Sequence, residues 1–136
     1  MFPIEELIPK DKFDMEAINK LKMIAPGNFS LQPIIEKLFE WIQDCNWPIA
    51  QELCTILALL RPEDIIPQIR MVLNSGDDGW QFSCIYFLIP NLPDEVKKEI
   101  GPDILRVFMS PTKNEELCEI DLAAREIYKK YIKKLS

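Results

Sequence analysis

The chain has 136 residues, with 16 basic side chains against 22 acidic ones, no histidine and a formal charge of −6. Its 48% apolar content fits a folded domain rather than a disordered one, and size scaling leaves about 7,000 Å² exposed of about 23,000 Å² in the unfolded chain, enough burial for a core without disulfides or metals. The missing histidine removes Ser-His-Asp and Cys-His nucleophile pairs and the usual zinc site, while the acidic balance disfavours a general nucleic-acid binder.

The opening segment Met1-Phe2-Pro3-Ile4-Glu5-Glu6 has neither a positively charged region nor an apolar run, so no signal peptide is expected, and 1–13 reads as an N-terminal arm. A first helix is expected over Asp14 to Ile24, ending before Pro26-Gly27. Ile34, Ile35, Leu38, Phe39 and Ile42 fall on one helical face, which places a helix over Leu31 to Asp44. Its partner runs from Trp47 to Leu60 and is apolar nearly all round, as a central helix would be. A second pair is expected over Glu63 to Asn74 and Trp80 to Ile89. A third covers Asp94 to Met109, interrupted at Gly101-Pro102, and Asn114 to Leu135. In that last helix Leu117, Ile120, Ala124, Ile127 and Tyr131 share one side. Acids at its start and lysines at its end suit the helix dipole, and the polar remainder suits the outer face of a terminal unit. No stretch alternates as a strand does, so the fold class is all-α.

Sliding the chain along itself gives its organisation. Pro33-Ile34-Ile35, Pro67-Gln68-Ile69 and Pro102-Asp103-Ile104 are spaced by 67 − 33 = 34 and 102 − 67 = 35 residues, and each opens an apolar stripe. Trp47-Pro48, Trp80-Gln81 and Asn114-Glu115 recur at offsets of 33 and 34. Two helices per unit of about 34 residues is the size of a helical-hairpin repeat. The longest apolar stretches are too short to span a bilayer. Cys45, Cys54, Cys84 and Cys118 are widely spaced, without C-x-x-C, and read as reduced thiols in a cytoplasmic protein.

The paired prolines, the paired tryptophans and the 33–35-residue offset resemble HEAT-type repeats, with Pro67, Pro102 and the turn Asp77-Asp78 as the matching positions. The third unit departs from that pattern by lacking the tryptophan and by the longer first arm of its first helix. Asn46-Trp47-Pro48-Ile49-Ala50 and Asp77-Asp78-Gly79-Trp80 also resemble a family of small uncharacterised bacterial proteins that carries only a domain-of-unknown-function label, from Leu7 onward. These resemblances imply a single domain, 1–136, folded as a right-handed α-α superhelix of about three HEAT-like pairs (about 31–60, 62–90 and 93–135) with an extra N-terminal helix. They supply no activity.

The candidate binding site is the edge formed by the turns within each pair. Asp44 precedes Trp47 by three residues and Asp77 precedes Trp80 by three, so stacking in register sets Asp44, Trp47, Asp77, Asp78 and Trp80 in one aromatic and acidic row. Such a row can anchor an Arg- or Lys-bearing partner through cation–π and charge-assisted contacts. The competing expectation is structural: Asn46 and Asp78 are natural N-caps, and a tryptophan in a first turn fills the gap between units. A second surface is the face of the second helices, with Gln51, Glu52, Gln81 and Ser83 as its polar members. No phosphate loop, dinucleotide fingerprint, nucleophile elbow or zinc-protease motif occurs. The expectation is a non-catalytic module without cofactor or metal that binds a protein with a basic surface, as an immunity-type inhibitor or adaptor, and neither nucleic acid nor membrane. The alternative is a small-molecule-binding enzyme with carboxylates on a concave face.

Overall fold

The structure, a computed structural model, describes residues 3–25 and 30–135. Among them there is no strand, and the chain is all-α. The expected stop at Pro26-Gly27 lies outside the described residues. The accessible surface is 7341 Å², close to what the chain length demands.

A short 3₁₀ turn, Ile4–Leu7, lays the buried Leu7 against α1, Met15–Ile24. Asp14 caps α1, its carboxylate accepting from the Ala17 N–H at 3.1 Å. After a 3₁₀ entry at Gln32–Ile34, α2 spans Ile35–Glu40, and three-residue bonds tighten its end through Gln43. The second helix of this pair starts later than expected: α3 is Ala50–Leu57. The intervening segment is a chain of turns in which the Asp44 carboxylate accepts from the Asn46 N–H at 2.8 Å. Asn46 therefore caps no helix, and Trp47 stands before α3, packed on Trp41 with ring centroids 5.6 Å apart.

In the second pair, α4 is Pro62–Leu73 and α5 is Asp78–Ser83, continued by a π-helical turn, Cys84–Leu88, and a 3₁₀ turn, Ile89–Asn91. The cap of α5 is Asp77 rather than Asp78: its carboxylate accepts from the Trp80 N–H at 3.1 Å. In the third pair, α6 runs unbroken over Asp94–Met109, so the interruption expected at Gly101-Pro102 is absent. Pro67 and Pro102 are both exposed. Water can therefore satisfy the Glu63 and Lys98 carbonyls that lose a donor, and each helix continues through its proline.

The final helix, expected as one piece, is two: α7, Lys113–Leu117, and α8, Ile120–Ile127, which continues as a π-helical turn, Tyr128–Ile132, and a 3₁₀ turn, Lys133–Leu135. The break is at Glu119, whose φ is +59°. It takes Leu117 off the apolar stripe and leaves it 73% exposed, while Ile120, Ala124 and Ile127 stay buried. A left-handed backbone is costly for a residue with a Cβ. Glu119→Gly is expected to raise stability by up to about 1 kcal/mol, read as a higher urea midpoint, less what glycine adds to unfolded-chain entropy.

The first helices pack in sequence, α2 on α4 and α4 on α6, and the second helices do likewise, with the Cys84–Leu88 turn between α3 and α8. One apolar core runs through both layers, with Leu38, Phe39, Leu53, Leu57, Ile69, Ile85, Ile100 and Ile104 fully buried. Hydrogen bonds about 34 residues apart tie successive helices of each layer together. Ser30 donates to Asp64 and Gln81 to Glu115, each 34 residues on, and Arg70 donates to Asp103, 33 residues on. The sequence period is thus a period of contacts. Cys54 and Cys84 lie in the core, where burial pushes both thiols up, Cys54 to about 12. Among the described residues, no helix is long and apolar enough to cross a membrane.

Candidate functional site

The turn after α2 and the start of α5 approach closely because residue 79 is glycine. A Cβ there would stand 3.1 Å from the Gln43 carbonyl oxygen, tighter than most Cβ contacts. Beside this approach opens a cleft of about 350 Å³, bordered by Asp44, Cys45 and Asn46 from the turn, Asp78 and Phe82 from α5, and Cys118 and Ile120 from the α7–α8 break. Asp44 and Asp78, predicted as members of one row, do line one cleft. Both are exposed, so the pair offers negative charge to solvent on either side of a concavity.

The rest of the predicted row is placed differently. Asp77 is spent on capping α5, and its own N–H donates to Ser75 Oγ at 3.1 Å. Trp80 is half-buried, its indole N–H donating to the Phe39 carbonyl at 2.9 Å, so it bolts α5 to the end of α2. Trp47 is half-buried against Trp41. These three residues pack and cap, and the carboxylates at the cleft do not include Asp77.

On the second-helix face, Gln51 is exposed, its amide donating to the Cys45 carbonyl at 3.3 Å, and Glu52 pairs with Lys22. Gln81 and Ser83, expected on this face, are completely buried. The residues presented instead are Phe82 of α5 and Tyr86 of the π-helical turn that continues it, with ring centroids 4.7 Å apart. Tyr86 donates its hydroxyl to Glu126 on α8 at 2.8 Å, and that carboxylate raises the phenol above its ordinary value. Leu59, in the turn after α3, and Leu122, on α8, are 60% and 51% exposed. Phe82 lines the cleft and also belongs to this face, so the two predicted surfaces meet at one aromatic side chain.

Sequence reasoning missed the most heavily bonded carboxylate among the described residues. Glu115 is 2% exposed in its side chain and accepts from Arg106 Nη1 at 2.6 Å and Nη2 at 3.0 Å, from Gln81 Nε2 at 2.7 Å and from the Thr112 N–H at 2.8 Å. Burial pushes its carboxyl up, but Arg106, Thr112 and Gln81 together outweigh that and hold it below the ordinary value. Arg106 and Gln81 also donate to the Leu73 carbonyl, so the cluster joins α4, α5, α6 and α7. Its sequence signal was Thr112-x-x-Glu115, the capping-box pattern, which the structure contains in full.

Partial desolvation and the neighbouring Asp78 carboxylate both raise the Cys118 thiol, which keeps it protonated. Among the described residues, no three metal-ligating side chains converge. No curated protein matches the sequence. The model of a family described as a domain of unknown function, DUF5071, matches residues 7–128, and the chain belongs to that family.

Proposed function

We propose that this chain is a HEAT-like helical-repeat module that binds a protein with a basic surface, its anchor being the cleft between Asp44 and Asp78. The observation that carries this reading is the placement of two exposed carboxylates across a concavity whose floor includes Phe82. A lysine or arginine entering there meets charge on two sides, and an adjoining apolar side chain meets Phe82, Tyr86 and Leu122. Charged rims raise association rate and fix orientation, and aromatic centres supply much of the affinity. The net charge of −6 favours the same class of partner. An immunity-type inhibitor that masks a basic toxin or nuclease is the concrete form of this role, and an adaptor uses the surface in the same way. The absence of nucleic-acid, membrane and cofactor roles is part of the proposal.

The test is affinity capture from the native host with the wild-type chain and an Asp44→Asn/Asp78→Asn variant, at low and moderate salt. Both residues are exposed, so the variant is expected to keep its melting temperature. The wild type should enrich a basic protein, and the variant should lose at least about fivefold of it, as moderate salt does. Equal capture by both proteins at both salt concentrations contradicts the proposal.

A further inference from the structure

Lys98, Gly101, Pro102 and Leu105 recur at i, i+3, i+4 and i+7 along α6 and share one face. With Tyr128 and Ile132 opposite, they wall a groove of about 280 Å³. Glycine lets the two walls approach closely, since a Cβ at residue 101 would lie 3.3 Å from Ile132 Cγ2. The repeat phase shows which direction the groove faces. Arg70 precedes Leu105 by 105 − 70 = 35 residues, and Arg70 reaches forward to Asp103 and Glu99 of the next pair. This helix position therefore looks toward the following unit. Among the described residues no unit follows α6 and α8, and Leu105 and Met109 are left 37% and 68% exposed. The polar outer face expected for a terminal unit is interrupted on α6 by these exposed apolar side chains.

Charge selects what fits there. Residues 128–135 contain Lys129, Lys130, Lys133 and Lys134 and no acid, and Lys98 stands on the opposite lip. Among the described residues, Lys98, Lys129, Lys130 and Lys134 form no ion pair. Two copies meeting face to face would bring these lysines together, which charge repulsion opposes. We infer that this end of the stack is a docking face for an acidic amphipathic helix of a partner protein. Its apolar stripe would lie along Pro102, Leu105 and Ile132, and its flanking carboxylates would meet the lysines. The seat is the one that α6 takes on α4, with charges supplied by the partner. This face is separate from the Asp44–Asp78 cleft and of opposite sign, so either assignment can fail without the other.

The probe is a labelled synthetic helix of about 18 residues with leucines at helical spacing and glutamates elsewhere, against a scrambled peptide of equal composition. Fluorescence anisotropy is expected to show binding at least about tenfold tighter for the amphipathic peptide. Leu105→Glu, and separately Lys129→Glu with Lys130→Glu, should each weaken it about tenfold in variants whose circular dichroism spectra show the fold retained. Asp44→Asn/Asp78→Asn should leave it unchanged. Equal binding of both peptides, or indifference to Leu105→Glu, overturns the assignment. So does a dimer seen in sedimentation that Leu105→Glu dissolves, which would make the occupant a second copy. Binding to phosphatidylglycerol vesicles without binding to the peptide overturns it as well.

Discussion

Replacing Arg106 by alanine is expected to lower unfolding free energy by about 3 kcal/mol at neutral pH, measured as a shift in the urea midpoint. The reason lies in what remains behind. Glu115 is 2% exposed and is held by Arg106 through both carboxylate oxygens, at 2.6 and 3.0 Å. Without the guanidinium it keeps the bonds from Gln81 and Thr112 but is a buried charge with no counter-charge. The Leu73 carbonyl also loses one of its two side-chain donors. Arg106→Lys should recover only part of the loss, since an ammonium cannot make the two-pronged contact.

The pH dependence has a definite sign. The folded carboxyl of Glu115 lies below its ordinary 4.5. Its contribution is therefore fully present at pH 7 and is lost as the pH falls below about 4.5 through the folded value. In Arg106→Ala the folded carboxyl rises, so the gap between wild type and variant should narrow on acidification. A gap that widens on acidification would contradict the assignment.

Phe39→Ala is the second large expected effect, a loss of about 3–5 kcal/mol. Phe39 is completely buried on α2, the helix on which α4 stacks. Its removal leaves a cavity at the joint between the first two units, which is a large share of a stability of about 5–15 kcal/mol. The Trp80 indole bond goes to the Phe39 backbone carbonyl and survives the substitution in composition, so the loss measures packing. Leu59→Ala, at a position 60% exposed, should change stability by less than about 0.5 kcal/mol and serves as the control.

Periodicity made the helices legible because a buried face must recur every three to four residues, and the 34-residue phase recurs in hydrogen bonds such as that from Gln81 to Glu115. Hidden were features set by single backbone or hydrogen-bond choices. Asp77 and Asp78 are adjacent carboxylates, and either could have capped α5; one residue of register gave the cap to Asp77 and the cleft to Asp78. That same register turns Gln81 inward to Leu73 and Glu115 and Phe82 outward. Gln81 had looked like a surface residue because its polarity gave no hint of a buried partner 34 residues on. Glu119 in a left-handed conformation breaks a run that reads as one continuous amphipathic helix, since no glycine or proline marks the break. Pro102 misled in the other direction, as an exposed proline lets its helix continue.

The central claim, that the Asp44–Asp78 cleft seats a basic protein, is tested most directly by site-specific photocrosslinking in native-host cells. A benzophenone side chain would be placed at position 46, exposed at the cleft, and in a second protein at position 23, exposed on α1. The account predicts one dominant crosslinked protein of basic surface from position 46, reduced by Asp44→Asn/Asp78→Asn, and none of it from position 23. The same protein crosslinked equally from both positions, or from position 23 alone, would contradict it.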